Sequence, residues 1–418
     1  MLKLFLLQFL RDLKVKMPIS KFVPVLALLS VSVSAPALAE FKTGSFMTKD
    51  GAEITPTLQT GVSSNSNFFS TPDDEKSRLI WTVAPKIAAQ IDNGPDNYKL
   101  NLASKTSFHN KDTTDNFTQV NVGIGTHQEF TSQHRLDVTG IADWLYEPRG
   151  SGLTEGLGDA AAELVKYRQQ NLTGRYEYGA LSSKAQVALT AGYSSKEYQN
   201  FRAISQFRDF DKTLFGITGY YNTQAATRAF VELTREDYRY DVIDSTGISR
   251  NSDDIKLLLG VEWEATAVTS GSVKLGYQNK EFDSNLREDF SGLSWEAAVN
   301  WQPLSYSTVQ LMTSRAAKDP LVEGDYIRES AYGITWNHGW SDYLSSQVGV
   351  NYIDEQYTGN IGRKDTTKSA RLGLNYIANN FGLVSTYIDF IDKNSTQPTI
   401  EFDHVVVGIN FTFALKAN

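Results

Sequence analysis

The sequence has 418 residues, a formal net charge of −8 and no cysteine, and 12% of its residues are Phe, Trp or Tyr. The lack of cysteine excludes disulfide scaffolds and thiolate chemistry, and the acidic balance argues against nucleic acid as a partner, because neutralising phosphates needs a basic surface. A negative mean hydropathy argues against a helical membrane protein but not against a membrane β-barrel, in which only alternate strand residues face lipid.

Residues 1–39 are predicted to be a secretory signal peptide. From the second methionine, Met17, a basic residue at Lys21 precedes an apolar stretch and the small-residue cleavage signal Ala37-Leu38-Ala39. This order is typical of a signal peptide, and the stretch is too short for a transmembrane helix. We expect translation to start at Met17 and cleavage to follow Ala39, with an extended n-region from Met1 as the alternative.

The chain from Glu40 onward is predicted to form strands. Apolar and polar residues alternate between Ile255 and Trp263, where Ile, Leu, Leu, Val and Trp share one face and Lys, Leu, Gly and Glu the other. The last strand, 401–413, has the same pattern. One apolar and one polar or small face is typical of a barrel strand between lipid and water, although a soluble β-sandwich gives the same alternation.

The connections distinguish these two folds. We predict eighteen strands, and the connections after even-numbered strands are short, such as 93–96 and 131–134. Those after odd-numbered strands are mostly long and polar, such as 63–77 and 149–164. Short periplasmic turns that alternate with long extracellular loops on an even strand count are typical of outer-membrane barrels.

The chain is therefore predicted to be all-β, a transmembrane antiparallel up-and-down β-barrel of the outer membrane with about 18 strands, 16 being the alternative. We expect a short periplasmic segment at 40–51, a single barrel at 52–413 and a C-terminal tail at 414–418.

Aromatic residues near the predicted strand ends support a membrane barrel. Trp144 with Tyr146, and Trp336 with Trp340, suit the two interfacial girdles. The stretch 410–413 alternates Phe with polar residues, like the terminal signal that the barrel-insertion machinery reads, although five residues follow it. The expected partners are that machinery, outer-membrane lipid and lipopolysaccharide.

The same alternation predicts which charged side chains face the barrel interior. They are interspersed with Asn, Gln, Thr and Ser, and comprise Arg175, Glu177, Lys256, Glu262, Lys274, Glu296 and Arg371. A wet channel for a hydrated polymer or small solutes is favoured, because eighteen strands enclose more space than side chains fill. The alternative is a sealed barrel whose charges pair across the lumen.

The third long connection, 150–164, has a helix-like content of Ala and Glu. Two interpretations remain open: a constriction folded into the lumen, as in the third loop of general porins, or a solvated surface loop. In the first case Glu155, Asp159 and Glu163 make the neck acidic.

The sequence contains no catalytic motif that we recognise. Its five histidines show no HExxH spacing, and no P-loop, GxSxG or EF-hand loop is present. Asp403 and His404 are adjacent on a predicted strand and so point to opposite faces. We expect a protein that is not an enzyme and that uses no cofactor and no metal.

The start of the predicted barrel resembles a known family. Residues 51–61 (GAEITPTLQTG), followed by 65–69 (NSNFF) and 81–85 (WTVAP), resemble the "putative β-barrel porin 2" proteins of exopolysaccharide gene clusters. The resemblance implies a channel that lets a newly made polysaccharide cross the outer membrane. It also implies two partners, a periplasmic polysaccharide-export lipoprotein and an inner-membrane copolymerase.

Two other functions remain open at this point. One is a general or sugar-uptake porin, although the sequence does not allow us to assign the lumenal aromatic track that eighteen-stranded sugar porins usually have. The other is a non-conducting adhesin or structural barrel, in which the long loops are the functional part.

Overall fold

The structure is a computed structural model that describes residues 41, 43–223, 226–243, 247–266, 268–359, 361–379 and 381–415. The predicted signal peptide lies outside these residues. Within them, nineteen strands form a single sheet. They are β1 (Phe46–Met47), β2 (Glu53–Asn65), β3 (Arg78–Asn93), β4 (Asp96–His109), β5 (Phe117–Thr131), β6 (His134–Glu147), β7 (Val165–Tyr178), β8 (Ala185–Tyr198), β9 (Phe210–Asn222), β10 (Thr227–Tyr240), β11 (Ser252–Thr266), β12 (Thr269–Phe282), β13 (Phe290–Leu304), β14 (Ser307–Lys318), β15 (Ile327–Gly339), β16 (Leu344–Tyr357), β17 (Lys364–Asn379), β18 (Gly382–Ser395) and β19 (Phe402–Ala414).

Strands β2 to β19 close into a barrel. Each pairs antiparallel with the next, and β19 returns to β2 with Phe413 opposite Leu58. The two-residue β1 pairs with the start of β2. The predicted all-β barrel of eighteen strands is thus confirmed, and the alternative of sixteen strands is wrong.

The two ends of the barrel differ in the length of their connections. At one end the strands are joined by short turns, from the two residues 94–95 to the six residues 179–184. At the other end the connections are mostly longer, up to 148–164. We call these the turn end and the mouth end.

Alternate residues of each strand face opposite sides of the wall. On β11 the side chains of Leu257 and Leu259 are 50% and 61% exposed on the outside, whereas Leu258 between them is only 2% exposed. Gly260 also faces inward, and a Cβ there would lie 2.3 Å from the Phe230 ring, so glycine is needed for this ring to lie against the wall. An exposed apolar outer face is typical of a barrel wall that meets lipid.

Helical structure is confined to short segments of the long connections. A four-residue helix, α1 (Arg202–Ser205), precedes β9. The 3-10 turns are Thr113–Asp115, Gly152–Thr154, Gly158–Ala160, Gln206–Arg208 and Pro398–Ile400. Among the described residues, no helix has the length and apolar content needed to cross a bilayer.

Aromatic side chains cluster at both ends of the outer surface. Near the turn end the rings of Trp336 and Trp340 lie 6.4 Å apart. Near the mouth end Trp144 is exposed on the outer face of β6. These positions match the two boundaries of a membrane-spanning wall.

Candidate functional site

The seven predicted interior charges all lie on the inner face of the barrel wall. Arg175 and Glu177 lie on β7, Lys256 and Glu262 on β11, and Lys274, Glu296 and Arg371 on β12, β13 and β17. Each of them lies on the inner face, away from the exposed apolar side chains of its own strand. Strand pairing agrees with this placement, because Lys274 on β12 is paired with Glu296 on β13 and paired residues share a face. This inner face encloses the lumen, which is the candidate functional site.

Near the turn end, strands β6, β7, β10 and β11 contribute to one network of arginines and glutamates. The Glu177 carboxylate forms ion pairs with three arginines: Arg135 at 2.6 Å, Arg175 at 2.7 Å and Arg228 at 3.4 Å. Arg228 also donates to Glu262 at 2.6 Å. The alternation predicts three of these five residues as inward-facing, but not that they share a network.

Other predicted interior charges are paired as well. The Lys274 ammonium lies 3.1 Å from Glu232 and 3.4 Å from Glu296. Arg371 donates two parallel hydrogen bonds of 2.6 Å to Asp389 on β18. Such bidentate pairs are the stronger kind of ion pair. Many of the charged side chains on the inner face therefore have a neighbour of opposite charge.

One side of the lumen is densely filled, and we call the inner face of β8 to β12 the packed wall. Lys196 lies 3.1 Å from Glu147, and its ammonium is 4.4 Å from the centre of the Tyr198 ring. Lys280 lies 3.0 Å from Asp319 and 4.1 Å from the Tyr238 ring centre. The two lysines are buried. Each of them thus has both a carboxylate and an aromatic face, which offsets the loss of hydration.

The sequence reasoning did not identify the inward-facing aromatic residues. They belong to neighbouring strands and include Tyr198, Phe210, Tyr220, Phe230 and Tyr238. The sequence pattern could have predicted their direction, because residues two apart on a strand share a face. Tyr198 thus faces the same way as Lys196, and Phe210 the same way as Lys212. All but Tyr220 are buried, so they form packing rather than a continuous exposed track for sugars.

The opposite side of the lumen is different, and we call the inner face of β2 to β5 the open wall. Gln59, Lys86, Lys99 and Lys105 are exposed there. Hydroxyl and amide side chains lie between them, among them Thr57, Asn101, Gln119 and Asn121. This surface offers hydrogen-bond donors and acceptors to whatever occupies the lumen.

At the mouth end, the connection 148–164 extends from β6 and β7 to strands on the far side of β2. Its Glu155 lies 2.8 Å from Arg363 and also pairs with the inward-facing Lys393 of β18. Arg363 and Lys393 in turn contact Asp365, at 2.8 Å and 3.1 Å. We call these four residues the latch. Because Lys393 faces the lumen, Glu155 lies on the inner side of the rim.

The other two predicted loop acids are not part of the latch. Asp159 pairs with Lys76, and this hydrogen bond lowers the pKa of its carboxyl. Glu163 lies 3.0 Å from Lys166, whose hydrogen bond lowers the pKa of Glu163. The three acids therefore have separate basic partners and do not converge on one point. The helix-like composition of this loop corresponds to two 3-10 turns rather than to an α-helix.

A second connection reaches across from the packed wall. Arg208, just before β9, donates to the carbonyl of Leu321 at 2.6 Å and to that of Val322. The neighbouring Asp209 pairs with Arg202 at 2.6 Å, while burial raises the pKa of Asp209. Sequence pattern alone does not predict these two contacts of Arg208, because Leu321 and Val322 lie more than a hundred residues away.

The barrel is similar in fold to several solved porins. A BenF-like porin from Pseudomonas fluorescens Pf-5 has 11% identity and a TM-score of 0.47, covering 87% of this chain and 99% of that one. Pseudomonas aeruginosa OccK2 (OpdF) in complex with glucuronate has 10% identity and a TM-score of 0.48, covering 89% and 98%. Acinetobacter baumannii OccAB2 has 12% identity and a TM-score of 0.46, covering 89% and 100%. No curated protein matches the sequence. The model of one family, described as "Putative beta-barrel porin 2", matches residues 41–415.

Proposed function

Because this chain belongs to the putative β-barrel porin 2 family, we propose that it is a passive conduit in the outer membrane of a Gram-negative bacterium and that its cargo is an exopolysaccharide leaving the cell. In this proposal the turn end faces the periplasm and the mouth end faces the exterior, as in other outer-membrane barrels. The observation that carries the proposal is the open wall, whose polar side chains are accessible from the lumen.

The chemistry of the open wall suits a hydrated chain that must slide. The hydroxyls of a sugar can exchange hydrogen bonds with side chains such as Gln59, Asn101 and Gln119. Each such bond in water contributes only about 1 kcal/mol net. Many weak and equivalent contacts let a polymer enter without holding it at one position, as conduction requires.

The driving force would come from outside the barrel. An inner-membrane copolymerase and a periplasmic export lipoprotein would work beside the barrel and deliver the polymer to its turn end. These two partners are inferred from the family resemblance and belong to the proposal.

A second candidate is an uptake porin for small solutes. The latch supports it, because Glu155, Arg363 and Lys393 hold the 148–164 connection at the inner side of the rim, where it would narrow the mouth. A polymer would need the 148–164 connection to move aside, whereas a monosaccharide or small acid would not.

A strain that lacks the gene for this protein distinguishes the two candidate functions. Polysaccharide is measured outside the cell and in the periplasm separately, with a growth series on single sugars as control and the intact gene restored on a plasmid. Export predicts less polymer outside and more in the periplasm. Unchanged polymer with slower growth on one sugar would contradict export and leave uptake. Unchanged polymer and growth would leave a non-conducting surface barrel.

A further inference from the structure

Three lysines of the open wall differ from other inward-facing cations. In the described part of the chain, Lys86, Lys99 and Lys105 have no carboxylate within ion-pair distance, and all three are exposed. Elsewhere on the inner face, cations such as Lys274 and Arg371 form ion pairs. Within the described ranges, Arg78 and Lys256 also face inward without an ion pair, but both are only partly exposed, so Lys86, Lys99 and Lys105 differ by being both exposed and unpaired.

Two of the three lysines border a recess in the open wall. Lys86 on β3 lies opposite Ala103, and Lys105 follows two residues later on the same face of β4. At this diagonal spacing, the Cβ atoms are roughly 7 Å apart, so the two long side chains can meet one ligand. The recess is about 370 Å³ and is also lined by Thr57, Gln59, Gln119 and Asn121.

We propose that this recess is a subsite for an acidic sugar residue, and hence that the cargo is an anionic saccharide. The inference rests on the proposed function. The ammonium groups of Lys86 and Lys105 would bind the carboxylate, while Gln59 and Gln119 would hydrogen-bond the sugar hydroxyls. Ammonium–carboxylate hydrogen bonds are stronger than neutral ones, so the two lysines set the preference for charge.

Lys99 extends the same positive surface toward the turn end. It lies near the start of β4, shortly after the turn at 94–95. An acidic chain that enters from the periplasm would meet Lys99 before it reaches the recess. A row of unpaired like charges on one wall raises the local concentration of an oppositely charged solute.

The test uses the purified full-length protein in planar lipid bilayers. Reversal potentials in a KCl gradient give the ratio of anion to cation permeability. Current block by trigalacturonate, compared with block by neutral maltotriose, gives the preference for acidic sugar. We expect anion selectivity, and block by trigalacturonate at a much lower concentration than by maltotriose.

The test variant is Lys86→Gln with Lys105→Gln. We expect it to lose roughly tenfold or more in apparent affinity for trigalacturonate while block by maltotriose stays unchanged. The matched control is Lys49→Gln with Lys184→Gln, which removes two exposed lysines outside the wall and should behave like the unmodified protein.

Three results would overturn the inference. An unmodified channel that is equally permeable to both ions and equally blocked by both sugars would refute the subsite and leave the conduit standing. A double variant that keeps the preference for acidic sugar would place the preference elsewhere. Anion selectivity without block by either saccharide would instead contradict a saccharide cargo, and so the proposed function itself.

Discussion

The packed wall and the open wall are built on the same strand pattern, yet they use their lysines in opposite ways. Lys280 of the packed wall is 1% exposed and has Asp319, Ser252 and the Tyr238 ring as partners. Lys105 of the open wall is exposed and has no carboxylate partner among the described residues. An inward-facing lysine can therefore serve the fold or the lumen, and its neighbours decide which.

The two walls should differ most in their contribution to stability. Lys280→Ala removes one member of a buried pair and leaves Asp319 without its cation, so we expect a loss of about 3–5 kcal/mol in the free energy of unfolding. Lys105→Ala should change it by no more than about 0.5 kcal/mol, as for other exposed positions.

Urea unfolding of both variants in the same detergent, followed by circular dichroism, measures this difference. Equal losses in the free energy of unfolding would contradict the expectation that the buried Lys280 contributes more to stability than the exposed Lys105.

A more moderate effect concerns the latch above the lumen. Among the described residues, Glu155→Gln leaves Arg363 and Lys393 with Asp365 as their acidic partner, so the 148–164 connection should be held less firmly. We expect higher or more variable single-channel conductance, with a cost of about 1–3 kcal/mol in stability because the buried Arg363 loses one of its two carboxylate partners.

Bilayer recordings of Glu155→Gln beside Glu163→Gln check this expectation. Glu163 belongs to the same connection but contacts Lys166 and Asn200 at its base. If both variants conduct alike, the latch does not control the mouth.

The weakest effect should be the pH dependence of the same connection. The pKa values of Asp159 and Glu163 are lowered by Lys76 and Lys166 in the folded protein. A lowered pKa contributes stability that is present above the unfolded value of about 4 and is lost as the pH falls through the folded value. Both pairs are largely exposed, so solvent screening keeps the effect small.

Hydrogen exchange of the amides in 158–166, corrected for its intrinsic pH dependence, should rise between pH 6 and pH 3. The double variant Asp159→Asn with Glu163→Gln should already show the faster exchange at pH 6. An unchanged rate across this range would show that these pairs do not hold the connection.

The barrel itself follows from local patterns in the sequence. Period-two alternation, eighteen strands and the alternation of short and long connections are local properties, and a strand's two faces follow from its own residues. The inward position of Lys274 or Glu262 is therefore predictable from the sequence alone. The predicted connection 63–77 begins too early, because pairing with β3 and β19 extends β2 to Asn65.

Closure of the sheet, by contrast, controls which inward charges are paired, where the lumen is filled and where the long connections go. Glu155 meets Lys393 across 238 residues of sequence, and Arg208 meets Leu321 across 113. Such contacts form only when the closed sheet brings distant strands to one rim. Whether Lys86 or Lys280 pairs with a carboxylate likewise depends on the inward-facing side chains that surround it, and these differ between strands β2 to β5 and strands β12 to β14. Alternation along a single strand does not encode this difference.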